Sequence, residues 1–262
     1  MSVELVDPVV IFLSVVSGII VGFSLRLVGG GGSVLAVPLL LYVVGIHDTH
    51  LAIGTSALAV GLIAGIVLLI QRKLSDVCIK KGLLFSIPGI LGTIIGAQLG
   101  LLTPSENLLV FFGGFMIIIA ILMLRGNSLK QRISSNNANL IILKKNVSLS
   151  GFFVGIVAGF FGIGGGFLII PSMMYSGSLN IVQAVGTSMI SVSFFGATTA
   201  ARYLIAGQVD LVIAALLVMG GLIGGLFGTK LAMKIPKQNL LRIFATLLFV
   251  VASYVIAQTV IT

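Results

Sequence analysis

Along most of its length the chain alternates long apolar stretches with short polar interruptions. Apolar runs cover residues 8–28, 51–70, 82–102, 108–124, 149–175, 181–201, 211–232 and 240–257. Most approach the roughly 20 residues with which an α-helix crosses a hydrocarbon layer about 30 Å thick. They are apolar throughout and lack the in–out alternation of a barrel strand, so the pattern predicts membrane-spanning helices that satisfy their own backbone hydrogen bonds. The expected fold is an all-α, polytopic transmembrane helical bundle. Two stretches depart from the rule: 33–45 and 167–175 each follow a glycine run. At 1.5 Å per residue they are too short for ordinary spans, and half-helices fit better.

The chain contains an internal repeat. Gly54-Thr55-Ser56 is matched 132 residues later by Gly186-Thr187-Ser188. At the same offset Gly89, Gly92 and Gly96 correspond to Gly221, Gly224 and Gly228, and Pro104, Asn107, Leu108 and Leu109 to Pro236, Asn239, Leu240 and Leu241. Upstream, an offset of 133 aligns Gly29, Gly31, Gly32, Leu35 and Pro38 with Gly162, Gly164, Gly165, Leu168 and Pro171. Ordered glycine, proline and asparagine landmarks at nearly constant spacing do not arise from apolar composition alone. Three units follow: a first membrane repeat over residues 8–125, a basic cytoplasmic linker over 126–147 and a second membrane repeat over 148–260. Each repeat reads as a glycine-interrupted segment followed by three spans.

Composition sharpens the class. Charged residues make up 8% of the 262 and hydrophobic residues 58%, against about 25% charged in a soluble domain. The net charge of +9 is an orientation signal at a membrane surface, not a nucleic-acid footprint, because the cations cluster between apolar runs. Their distribution also tests topology. If each glycine-interrupted segment crossed once, the halves would be parallel. Ten cations (Arg72, Lys73, Lys80, Lys81, Arg125, Lys130, Arg132, Lys144, Lys145, Arg202) would then face three (Lys230, Lys234, Lys237). If each segment turns back at its glycines, the halves are inverted and the split becomes twelve against one, with Arg202 alone misplaced. The positive-inside bias favours inversion with both termini outside, a plan that secondary transporters reuse with broken helices meeting near the midplane. With Glu4 and Asp7 but no Lys or Arg before the first run, the N-terminus lacks a secretory n-region, so the first helix is expected to be retained. The lone Cys78 excludes an intrachain disulfide and a cysteine metal cluster and reads as an apolar filler.

The candidate substrate site is built from the breaks. Gly29, Gly30, Gly31 and Gly32 with Ser33, and Gly162, Gly164, Gly165 and Gly166, disfavour helix and must be buried in protein or line a watery cavity. Their amides, with the positive end of the helix that follows, can bind an anion; tight packing or a bend is the alternative. Thr55, Ser56, Thr187 and Ser188 offer hydroxyls that can hold an oxyanion without a charge, or that bond to their own helix or a neighbour. Ser191, Ser193, Thr198 and Thr199 extend this polar set. Arg26, inside an apolar run, is a candidate anion counter-charge or a snorkelling cation, and Gly159 aligns with it in the second half. His47, Asp48 and His50 read as a solvated turn in preference to a metal or proton site. Gly92, Gly96, Gly100 and the series Gly220, Gly221, Gly224, Gly225, Gly228 read as helix-packing surfaces. No catalytic residue, metal site or cofactor is expected. Gly162, Gly164 and Gly165 lack the spacing and preceding strand of a dinucleotide loop.

Two related halves, each with a Gly-rich motif before an apolar stretch and proline and then Gly-Thr-Ser, resemble the TauE/SafE family of membrane permeases over nearly the whole chain. The resemblance implies transport of a small sulfur-containing anion such as sulfite, thiosulfate or an organosulfonate, often as export. It also implies a multi-pass place in the cell membrane, the inner one where the source has two. The two motifs differ, four glycines in a row in the first and an interposed Ile163 in the second, so the sites need not be equivalent. Expected partners are the anion and the lipid bilayer, with no nucleic acid; homo-oligomerisation stays open. The rivals are an anion channel with a glycine-backbone filter, a non-transporting scaffold and an intramembrane enzyme. The last is disfavoured by the lack of a His-Glu-x-x-His motif and by two histidines confined to one turn.

Overall fold

The computed structural model describes residues 7–70, 77–125, 140–232, 246, 249–253 and 255, and these are helical without strands. Helices α1 (Pro8–Val28), α3 (Thr49–Ile70), α4 (Ile79–Leu102), α5 (Ser105–Arg125), α6 (Leu140–Phe161), α8 (Ile181–Ile205) and α9 (Leu211–Ala232) are long; α2 (Ala36–Leu39) and α7 (Gly166–Ser176) are short. Helix α6 begins inside the stretch read as linker. Five stretches are long and apolar enough to span a membrane: Pro8–Arg26, Thr49–Ile70, Ile79–Leu102, Gln183–Ile205 and Leu211–Gly228. The bundle wears its apolar side chains outward, with Phe12, Ile87, Leu91, Leu226 and Phe227 exposed, as a lipid-facing surface requires. Glycine, serine and threonine are buried alongside an apolar core. Lys234, Lys237, Arg242, Arg72, Lys73, Asp76 and the linker cations Lys130 and Arg132 lie outside the described residues.

Packing follows the repeat. Helix α1 lies along α9 and α6 along α4, the corresponding pair from the other half, while α3 and α8 pack on each other. The glycine surfaces make these contacts. A Cβ on Gly22 would strike the backbone of Gly221, one on Gly224 that of Ile19, one on Gly92 that of Phe152 and one on Gly159 that of Thr93. Without a hydrophobic drive between helices in lipid, close backbone approach and dispersion are what hold such pairs. Residue numbers rise together along α1 and α9 and along α4 and α6, so both pairs are parallel. Along α3 and α8 they run oppositely: Gly54 faces Tyr203, Gly61 faces Gly196 and Gly65 faces Ser193. The two equivalent helices at the centre are therefore antiparallel.

Each glycine-interrupted segment turns back on the helix before it. After α1 the chain continues as a 3-10 helix, Gly29–Leu35, whose Gly32 sits against Ser24 and Leu25. It then runs through α2 and a π-helical turn, Leu40–Val44, to a cluster shared with Val10 and Leu13. After α6 the chain reverses over 162–165, and α7 descends antiparallel until Ser176 meets Ser150 of α6, 3.0 Å between hydroxyls. The Lys81 ammonium then donates to the Gly177 carbonyl at 2.6 Å, which fixes the end of α7 beside the start of α4. The turn back expected from the short stretches is thus present in both halves. Even the turn residues correspond: Gly45 and Ser178, 133 positions apart, are both left-handed at φ 86° and 49°. Asp48 accepts from the amides of His50 and Leu51 at the start of α3. Its equivalent Asn180 forms a capping box with Gln183 at the start of α8.

Candidate functional site

The breaks meet inside the bundle. The 3-10 helix packs against α7, and Val34, Leu35 and Val37 share one buried cluster with Phe161 and Ile163. Gly32, Ser33 and Gly162 through Gly166 are all buried. The second break needs glycine for conformational reasons: Gly162, Gly164 and Gly165 have φ of 65°, 61° and 67°, where other residues pay about 1–2 kcal/mol. Gly164 lies level with the middles of α3 and α8, since a Cβ there would be 3.1 Å from Val192 and 3.5 Å from Val60. Helix α7 starts on Gly165 with no side-chain cap. The first amides of a helix have no partner within it, so the positive end of α7 opens at the junction of the halves.

The Gly-Thr-Ser triplets occupy other ground. Thr55 Oγ1 accepts from the Asp210 amide at 2.9 Å, and Thr187 Oγ1 accepts from the Cys78 amide at 3.0 Å. Asp210 and Cys78 are themselves 132 positions apart, so the same pin is made twice, each time from one half to the loop that starts a helix of the other. The companion serines bond within their own helix, Ser56 to the Ile53 carbonyl at 2.9 Å and Ser188 to that of Val185 at 2.8 Å. All four hydroxyl residues are buried. Thr55 and Thr187 therefore stand near opposite ends of the bundle, not side by side. Ile53, whose carbonyl accepts from Ser56, lies with its side chain against Gly162 of the second break.

Arg26 is half-buried at the end of α1, and its stem runs across α9 where Gly228 leaves room, with a Cβ on that glycine 3.0 Å from the Arg26 Cβ. Of the extended polar set, Ser191 pairs with Ser86 at 2.8 Å, joining α8 to α4. His47 and Asp48 are exposed, as a solvated turn requires, whereas His50 is half-buried.

His50 belongs to a group that motif reasoning did not assemble. A cavity of about 400 Å³ at the end of the bundle away from Lys81 is lined by His50, Gln98, Leu101, Arg202, Ile205, Ala206 and Gln208. The Arg202 guanidinium donates to the Gln98 carboxamide oxygen. The signal in the sequence was Arg202 itself, the one cation on the wrong side of the charge count.

A helical bundle with uniformly apolar outer faces, two broken helices and polar groups gathered inside defines a multi-pass membrane transporter. The chain matches the family described as "Sulfite exporter TauE/SafE" over residues 14–255, and it belongs to that family. It is 39% identical over 248 residues to a "Probable membrane transporter protein" of Xylella fastidiosa, covering 94% of this chain and 95% of that one. It is 30% identical over 265 residues to the "Probable membrane transporter protein YunE" of Bacillus subtilis, covering 93% and 96%. No solved structure matches.

Proposed function

We propose that the chain is a secondary permease of the cell membrane for a small sulfur-containing anion such as sulfite, thiosulfate or an organosulfonate, and that it performs no catalysis. The observation that carries this is the second break: three left-handed glycines and an uncapped helix start, buried where the two halves meet. Such a site presents N–H groups and a positive dipole end without a full charge, so it can bind an oxyanion and release it again. The 3-10 helix that carries Gly32 and Ser33 packs against α7 from the other half, and Arg26 adds positive potential from the flank. The pinned threonines Thr55 and Thr187, with Ser56 and Ser188, hold the loops and helices that frame the site.

The halves are inverted, and both termini lie outside. Antiparallel packing of the equivalent helices α3 and α8, together with parallel α1–α9 and α4–α6 pairs, supports this, as does the twelve-to-one cation split. Inversion lets the two halves exchange conformations about the site, the usual route to alternating access. The test is flux into proteoliposomes of sulfite, thiosulfate and a small sulfonate by wild type, Arg26→Ala and Thr55→Ala. Wild type is expected to move at least one of them, with both variants slower. A preparation that folds and moves none of the three would refute the proposal.

A further inference from the structure

The cavity around Arg202 lies outside the breaks, and the repeat does not account for it. The positions equivalent to His50, Gln98 and Arg202 are Val182, Lys230 and Ile70, so this polar set is not duplicated in the other half. Among the described residues its wall contains a guanidinium, an imidazole and two carboxamides and no carboxylate. Among the described acids at this end of the bundle, Asp7 and Glu106 are exposed, and two more serve backbone amides. Asp48 accepts from the first amides of α3, and Asp210 accepts from those of Val212 and Ile213 at the start of α9. Arg202 spends one donor on Gln98, while its Nε is buried and has no partner among the described residues, as is the case for Nδ1 of His50. A guanidinium fork with donors to spare is suited to a planar or pyramidal oxyanion, which it can grip with two parallel hydrogen bonds. The volume suits a small molecule.

One residue beside the cavity lining also packs in the core around the breaks. Tyr203, fully buried, follows Arg202 and places its ring 6.4 Å from that of His50. It belongs to the same apolar cluster as Val34, Leu35 and Ile163. Its hydroxyl has no partner among the described residues and lies beside Gly100, where a Cβ would be 2.7 Å away. A buried phenol that is apolar toward the breaks and polar at its tip is placed to stand between the two compartments.

We propose that this cavity is a second anion site, a vestibule in which a small oxyanion is held by Arg202, His50 and Gln98 on the face opposite the linker, with Tyr203 separating it from the breaks. Its purpose as a staging point rests on the permease proposal, but its ability to bind does not. Binding of radiolabelled sulfite to detergent-purified protein and sulfite flux in oriented proteoliposomes test it together. Arg202→Gln is expected to weaken binding by roughly tenfold or more, the worth of a charge-assisted hydrogen bond. It should raise KM by a similar factor when sulfite is offered on the cavity face, and leave KM on the linker face and the maximal rate near wild type. Arg202→Lys keeps the charge but not the fork and should fall between. Unfolding temperature checks that the variants fold, and His50→Ala supplies a second disruption that leaves the Arg202–Gln98 pair in place. Wild type that transports sulfite alongside an Arg202→Gln variant with unchanged binding and KM overturns the vestibule and spares the permease. Wild type that binds sulfite in an Arg202-dependent manner but transports nothing overturns the permease and supports the vestibule. Absence of sulfite binding overturns the vestibule, and a wild type that moves none of sulfite, thiosulfate and the sulfonate overturns the permease as well.

Discussion

In the second half the chain reverses over three left-handed glycines, Gly162, Gly164 and Gly165, and at once starts a regular helix of 11 residues. In the first half the equivalent stretch stays right-handed as the 3-10 helix Gly29–Leu35, and the return arm passes through four α-helical residues into a π-helical turn. Glycine is needed in both places, for different reasons. At Gly164 a Cβ would press only on side chains, 3.1 Å from Val192, and the backbone angle of 61° adds the main requirement. At Gly32 the angle is ordinary and the requirement is steric, since a Cβ would run into the backbone of Ser24 and Leu25. The repeat preserves the turn back, the central antiparallel pair and the threonine pins, yet it does not preserve the local geometry of the break. A site assembled from both breaks is therefore asymmetric even though the scaffold around it is not.

The widest difference to test is which face each return arm reaches. With Cys78→Ala as background, His47→Cys and Ser178→Cys place exposed thiols just beyond the two arms. An impermeant maleimide added outside intact cells should label the first and not the second; labelling both from one side would mean parallel halves.

Next in size is Gly32→Ala. Its methyl group has only backbone to push against, so overpacking should cost about 3 kcal/mol, read as a large fall in the unfolding midpoint of the purified protein. Gly164 separates conformation from space. Gly164→Val should cost about 2 kcal/mol, because a β-branched residue resists positive φ, whereas Gly164→Asn should lose about half as much. Equal losses would show that packing, not backbone angle, governs the second break. The pins are expected to be smaller and matched. Thr55→Val and Thr187→Val each leave one buried amide without its acceptor and should each cost about 1.5 kcal/mol. Ser56→Ala and Ser188→Ala remove bonds within their own helices and should shift stability by less than about 0.5 kcal/mol. Unequal losses for the two threonines would break the correspondence between the halves.

Much of this architecture was legible from the chain. Spans are set by apolar length, and the offset between Gly54-Thr55-Ser56 and Gly186-Thr187-Ser188 exposes the repeat without any structure. The glycine ladders on α4 and α9 followed from spacing, because a helix face repeats about every four residues; their partner glycines on α1 and α6 did not. Less legible was which side chains meet. Hydroxyls at Thr55 and Thr187 look alike in sequence whether they face a substrate or a backbone amide of another helix; the partner, Asp210 or Cys78, is more than 100 residues away. The 3-10 and left-handed forms of the two breaks also depend on what surrounds each glycine. The cavity at Arg202 draws its lining from the ends of three helices, α3, α4 and α8. No local motif encodes it, and only the anomalous position of Arg202 in the charge count marked the place.

The measurement that bears most directly on transport past these breaks is the initial rate of sulfite entry into proteoliposomes as its concentration is raised, with and without sulfite inside. A carrier whose two halves exchange around a bound anion predicts a rate that saturates and that internal sulfite accelerates. A rate that rises linearly and ignores the internal anion would contradict the account and describe a pore.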